Sequence, residues 1–240
     1  MGRLTNKVAI VTGSSSGIGK AMALRFGEEG ASVMVAARRE NLCQQVVTQI
    51  QSQGGQAGWC QTDITEQGQV QRLMEETIRQ FGTIDILVNN AGIGGGRFIE
   101  RLDPEEWDRI VRTNLRGTFL CCQSGFRVMK ESKRPGIIIN ISSVAGLDAW
   151  AGTGAYSSSK FGIMGLTKAL ADEGRAFGIK VCAICPGGVA DDLVDASTQD
   201  IEASQKINPY DIAETAIFLA SLGPYAIVHN IVIDRLGAEW

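Results

Sequence analysis

The sequence predicts a single α/β domain over residues 1–240: a doubly wound, parallel, seven-stranded sheet with helices on both faces. Two observations predict it. Short β-branched runs alternate with amphipathic stretches along the whole chain, and strands joined by helical crossovers pair in parallel. Composition agrees: of 240 residues, 44% are apolar and 20% charged, enough to bury a large core. No linker, repeat or low-complexity tract divides the chain.

The strand candidates are Val8–Thr12, Ser32–Ala37, Gln56–Thr62, Ile84–Asn89, Gly136–Ser142, Ile179–Cys185 and Ile231–Asp234. Between them, apolar residues recur at helical spacing near Ile18–Glu29, Glu40–Gln53, Glu66–Phe81, Pro104–Glu131, Tyr156–Phe177 and Asp211–Leu222.

Several function classes fall away at once. A net charge of −3 and the lack of a basic tract give no footprint for nucleic acid or an anionic membrane. No apolar run reaches membrane-spanning length. Met1 to Lys7 is polar and runs straight into a strand, so no secretory signal is expected and a cytoplasmic location is. Six cysteines in such a chain are expected to stay reduced. Cys182 and Cys185 lie three apart on a strand and so face opposite ways; they read as small buried hydrophobes, not as a metal or redox pair. With His229 the only histidine, a His-rich metal site is impossible, a Ser-His-Asp triad is disfavoured, and no metal is expected.

The first strand leads into Thr12-Gly13-Ser14-Ser15-Ser16-Gly17-Ile18-Gly19. Gly13 can turn the chain sharply, Gly17 lets backbone approach a ligand, and Gly19 lets the helix pack on its strand. The helix N-terminus then faces the pyrophosphate of a dinucleotide, which makes the fold Rossmann-type. The spacing is G-x-x-x-G-x-G rather than G-x-G-x-x-G, so placement between strand and helix carries the reading.

The second strand ends in Ala37, Arg38 and Arg39 where an NAD site would place an acid. Nothing there repels a 2′-phosphate and two guanidinium groups can bind one, so NADP(H) is expected rather than NAD(H). Arg38 is the better candidate, with Ser14 assisting. Asp63, after the third strand, is placed to accept from an adenine amine, or to cap the next helix. The fourth strand ends in Asn89-Asn90-Ala91-Gly92, where asparagines can tie strands together and Gly92 leaves room for a cofactor. Tyr156 and Lys160 stand four apart, one turn above each other on a helix. An ammonium beside a phenol favours phenolate; two pKa units correspond to roughly 2.7 kcal/mol.

Thr12–Gly19, Asn89-Asn90-Ala91-Gly92, Ser143, Tyr156-x-x-x-Lys160 and Pro186-Gly187 together resemble the short-chain dehydrogenase/reductase family, in order and at its spacing. The likeness runs from Lys7 to about Val189. It implies hydride transfer between a nicotinamide and a ketone or secondary alcohol. Ser143, thirteen residues before Tyr156 and so chosen over Ser142, holds the substrate oxygen. Tyr156 is the general acid/base, Lys160 lowers its pKa and binds ribose, and Asn114 holds a water that re-protonates the site through Lys160. The resemblance further implies cofactor contacts at Gly13, Ser14, Ser16, Gly17, Ile18, Gly19, Arg38, Asp63, Ile64, Asn90, Ala91, Gly92, Tyr156, Lys160, Pro186, Gly187 and Val189.

One departure stands out: Asp191 occupies the place five residues after Pro186 where the family often has threonine, and Asp192 follows. A carboxylate there is unfavourable beside pyrophosphate unless it points away. The substrate pocket is expected between Ile93–Phe98, Val144–Ala151 and a short substrate loop at 188–208, with Leu147 and Trp150 as candidate lining. Lys130, Lys133 and Arg134 could face an acidic carrier protein, though they read better as a solvated helix end. In the family the Tyr156 helix and Pro104–Glu131 pair subunits, so a homo-oligomer, tetramer or dimer, is expected. The alternatives are a 3-oxoacyl-carrier-protein reductase and a non-catalytic dinucleotide-binding regulator.

Overall fold

The computed structural model describes residues 2–191, 200 and 204–237. Its elements follow the expected alternation: β1 (Val8–Thr12), α1 (Gly17–Glu28), β2 (Ser32–Ala37), α2 (Glu40–Ser52), β3 (Gln56–Gln61), α3 (Gln67–Phe81) and β4 (Ile86–Asn89). Then come α4 (Pro104–Val111), α5 (Thr118–Ser132), β5 (Gly136–Ile141), α6 (Gly154–Gly174), β6 (Ile179–Pro186), α7 (Pro209–Ser221) and β7 (Asn230–Ile233). The seven strands form one sheet in the order β3-β2-β1-β4-β5-β6-β7, and every pairing is parallel.

Both faces are covered, which explains why the strands read as continuous apolar runs. Alternate residues of β1 go to opposite cores. Ala9 and Val11 join Met22 and Phe26 of α1, Val46 and Ile50 of α2, and Ile212 and Ile217 of α7. Ile10 joins Leu73 and Met74 of α3 with Leu120 and Cys121 of α5. Cys182 belongs to the first core, whereas the Cys185 thiol lies 3.6 Å from the Met164 sulfur of α6. All six cysteines are free and buried, and burial pushes the Cys182 thiol up to about 12 and that of Cys185 to about 11. Among the described residues no His, Cys, Asp and Glu cluster could hold a metal, and no helix is long and apolar enough to cross a membrane.

Two sequence expectations change. The helix expected over Pro104–Glu131 is interrupted by a π-helical turn at Arg112–Gly117 between α4 and α5. Within this turn the Asn114 side chain faces inward, bonding to the Ile93 backbone and not along the helix. The last helix starts at Pro209, two residues before Asp211, because the Asn208 carbonyl oxygen accepts from Tyr210 N at 3.0 Å and proline suits the first helical position. α4 starts the same way, with Asp103 capping and Pro104 behind it. The remaining boundaries agree or shift by up to three residues, as helix and strand ends do.

Candidate active site

Strand order reverses direction between β1 and β4, and a groove of about 750 Å³ opens there, over the carboxyl ends of β1 to β4. Its floor is the glycine turn. Gly13 has φ +67°, and a Cβ on it would lie 2.7 Å from Ala91 Cα. Gly17 has φ +56°, and Gly19 packs so closely that a Cβ would lie 2.4 Å from Gly13 O. Thr12 ties the turn to β4: its hydroxyl accepts from Asn90 N at 3.0 Å and Ala91 N at 3.2 Å, and donates to Val88 O. Asn90 Nδ2 returns a bond to Thr12 O at 3.0 Å. One strand further, Asn89 Nδ2 donates to Asn140 Oδ1 at 2.9 Å, so the asparagines do tie β4 to both neighbours.

The expected contacts Ser16, Ile18, Arg38, Asp63, Ile64, Asn90, Ala91 and Gly92 line this groove with Gly13 and Gly17. Three do not. Ser14 is fully buried, donating to Val11 O at 2.6 Å and accepting from Ala36 N at 2.9 Å, so its hydroxyl pins the turn to β2 and is not available to a phosphate. Gly19 packs α1 against Gly13 and Asn90. Val189 pairs through its backbone with Ile207 and packs on the core. Asp63 is not a helix cap either. Its Oδ1 accepts from Thr65 N and Thr65 Oγ1, both at 2.9 Å, and Glu66 precedes α3 instead.

Arg39 joins Arg38 at the groove, and its guanidinium donates to Ser15 Oγ at 3.0 Å and Ser16 Oγ at 2.7 Å. The sequence reading passed over Ser15, Thr62 and the rim formed by Arg109, Arg112 and Thr113. Ser15 and Thr62 abut recognised motifs, but the rim depended on the helix break at Asn114, which has no sequence signal of its own.

A second pocket of about 150 Å³ adjoins the groove and shares Ile18, Asn90, Gly92 and Ile93 with it. It brings together Ser143, Tyr156, Lys160, Pro186 and Gly187 from β5, α6 and β6. Ser143 caps a short 3-10 turn, accepting from Ala145 N at 3.1 Å. Ser142 points elsewhere, to Lys160 O at 3.1 Å. Asn114 does not front the pocket. It is fully buried, its Oδ1 accepts from Ile93 N at 2.8 Å, and its Nδ2 donates to Ile93 O at 2.9 Å and Ser159 Oγ at 3.1 Å. These three bonds make its side chain hold the loop after β4 against α6.

The tyrosine–lysine pair departs from expectation. The Lys160 ammonium lies over the Tyr156 ring, 5.5 Å from its centroid, and donates to Ile141 O at 2.9 Å. Burial pushes Lys160 down to about 8. The Tyr156 phenol is shifted upward from its ordinary value, first by burial, against the pull of the Ser143 hydroxyl and reinforced by the negative charge of Asp191. Burial dominates this shift and outweighs the pull of the Ser143 hydroxyl.

Asp191 lines the groove itself. Its Oδ1 accepts from Ile18 N at 3.1 Å, at the start of α1. Leu147 and Trp150 are exposed and line neither cavity. Asp192 and most of the expected substrate loop, residues 192–199 and 201–203, lie outside the described residues. The basic trio is exposed at the end of α5: Lys130 lies 4.4 Å from the Phe177 ring centroid, Arg134 pairs with Asp85 at 3.5 Å, and Lys133 takes the left-handed conformation that ends the helix.

A nicotinamide dinucleotide fits the donor set and shape of this groove. Glycines leave its floor open to phosphate, cations stand at the β2 end, and titratable groups lie at the β5–β6 end; only Asp191 is out of keeping. Comparisons with known proteins agree. A short chain dehydrogenase family profile matches residues 7–202. A 3beta-hydroxysteroid dehydrogenase of Mediterraneibacter gnavus is 37% identical over 203 residues, covering 84% of this chain and 73% of that protein. A 3-oxoacyl-(acyl-carrier-protein) reductase FabG of Staphylococcus epidermidis is 37% identical over 225 residues, covering 90% and 92%. Among solved structures, a metagenomic short-chain oxidoreductase in complex with NADP superposes with a TM-score of 0.85 at 31% identity, covering 98% of this chain and 99% of that one. A dehydrogenase/reductase from Sinorhizobium meliloti 1021 gives 0.86 at 32%, covering 96% and 94%.

Proposed function

The chain belongs to the short-chain dehydrogenase/reductase family, an oxidoreductase working on alcohol and carbonyl groups with a nicotinamide cofactor, and from that premise we propose NADP(H)-dependent reduction of a ketone or oxidation of a secondary alcohol, with Tyr156 exchanging the proton. The observation that carries this reading is the meeting of Ser143, Tyr156 and Lys160 in one small pocket that opens into the groove. NADP(H) bound in that groove supplies or accepts the hydride.

The chain's own residues do the rest. Ser143 donates a hydrogen bond to the substrate oxygen and holds it against the Tyr156 hydroxyl. Tyr156, kept neutral by burial, gives its proton to that oxygen as the carbonyl carbon is reduced. Lys160, charged at neutral pH with a value of about 8, stabilises the phenolate that this step leaves behind. Asn114 fixes the loop carrying Gly92 and Ile93 and so sets the distance between groove and pocket. Arg38 and Arg39 are the cationic end that selects a 2′-phosphate. The relative bound to NADP favours the same cofactor.

Two substrate classes are carried by relatives: a 3-oxoacyl thioester on a carrier protein, as for the Staphylococcus reductase, and a 3-hydroxysteroid, as for the Mediterraneibacter enzyme. We assign the protein to the cytoplasm, where its six free cysteines stay reduced. We also assign it a homo-oligomeric state, on the exposed Phe119 of α5 and Phe161 of α6. The deciding experiment follows NADPH absorbance with free ketones, a 3-oxosteroid and a 3-oxoacyl thioester. Turnover of one class identifies the substrate. NADPH binding without turnover of any carbonyl leaves the non-catalytic regulator.

A further inference from the structure

We propose that Asp191 gates the dinucleotide site: its carboxylate holds the place on the N-terminus of α1 that a pyrophosphate must take, and leaves when the cofactor enters. The inference rests on the dinucleotide reading of the groove and adds a residue to it.

The helix itself has no anion of its own. Ser16 precedes it without a side-chain cap bond, and the first turn contains no acidic residue. The Ser16 hydroxyl accepts from Arg39 instead. The start of a helix with unpartnered N–H groups and a positive dipole end attracts negative charge. Here that charge comes from a residue 173 positions away, through Ile18 N and Asp191 Oδ1 at 3.1 Å.

The fit is close. A Cβ on Gly17 would lie 2.8 Å from Asp191 Oδ1, so the carboxylate rests on the surface that this glycine leaves bare. A phosphate approaching the same backbone meets the carboxylate, and two anions cannot share the seat. The residue before it is anchored: Ala190 is fully buried, and its N–H donates to Ile207 O at 3.0 Å. Displacement therefore begins at Asp191, with the preceding backbone held.

Isothermal titration of the wild-type protein and of Asp191→Asn with NADP⁺, and with adenosine 2′-phosphate, tests this. The 2′-phosphate nucleotide shares the arginine end and lacks the pyrophosphate. Asparagine keeps the shape and loses the charge, so NADP⁺ should bind about tenfold more tightly to the variant. Adenosine 2′-phosphate should bind both proteins within about twofold, since the gated seat is not its own. Equal NADP⁺ affinity in the two proteins overturns the gate. Parallel tightening of both nucleotides also overturns it, because the effect is then a general field over the groove. A variant that melts lower without binding NADP⁺ more tightly makes Asp191 a helix cap and nothing more. If neither protein binds NADP⁺ while adenosine 2′-phosphate still binds, the dinucleotide reading itself fails and takes the gate with it.

Discussion

Along the groove the surface offered to a ligand is mostly backbone: the Gly13 and Gly17 turn, the start of α1, and the Asn90–Gly92 edge of β4. In the pocket beside it the working surface is side chain: Ser143, Tyr156 and Lys160, from the end of β5 and from α6. The groove depends on where a Cβ is forbidden, a property of sterics that survives whatever surrounds it. The pocket depends on burial and on which group faces which, and both shifted titrations there are dominated by desolvation. A backbone site is thus robust and readable, whereas a side-chain site takes its chemistry from context.

The contrast breaks most sharply at Tyr156. Tyr156→Phe should lower turnover at least about a thousandfold, the scale of a lost general acid, while NADPH binding changes little. Retained turnover would assign the proton to another group. The same variant serves as the blank for an ultraviolet titration of the free wild-type enzyme. No phenolate should form at Tyr156 below the ordinary tyrosine range near 10; a step near neutrality would restore acidification by Lys160.

Lys160→Met sets activity against stability. The ammonium is held at about 8 against 10.5 when exposed, a cost of about 3 kcal/mol at neutral pH. The unfolded chain holds this proton more tightly between those values, so wild-type stability should rise with pH from about 8 to 10.5. The methionine variant lacks the cost but also loses the bond to Ile141 O, so about 2 kcal/mol of added stability is expected at pH 7, fading by pH 10.5, with turnover lost. Urea unfolding at the two pH values measures it. A less stable variant at pH 7 would mean that the ammonium is well solvated.

The smallest effects lie in the groove. Arg38→Ala should raise the Kd for NADPH about tenfold and leave NADH unchanged, as expected for a charge-assisted bond to a 2′-phosphate. Arg39→Ala should weaken both coenzymes, because this guanidinium also holds Ser15 and Ser16 on the turn. Fluorescence titration with the two coenzymes separates the cases; identical patterns would erase the distinction between the arginines.

The sequence by itself determined the sheet, because two-residue and 3.6-residue periods report burial directly, and it determined the groove, because Gly13 and Gly17 stand where no side chain fits. Its resemblance to the family, rather than any local pattern, put Ser143 above Ser142 and marked Asp191 as a departure. Tertiary structure decided the rest. Ser14 looked like a ligand until its hydroxyl met Val11 O and Ala36 N, and Asn114 could hold a water or be a polar residue satisfied at a helix kink until folding set it against Ile93 and Ser159. The direction of the Tyr156 shift, and the seat Asp191 takes on a helix 173 residues distant, follow from dehydration and from long-range contact. Neither leaves a local trace, since the energy of a charge depends on the neighbours that folding brings to it and not on those it has along the chain.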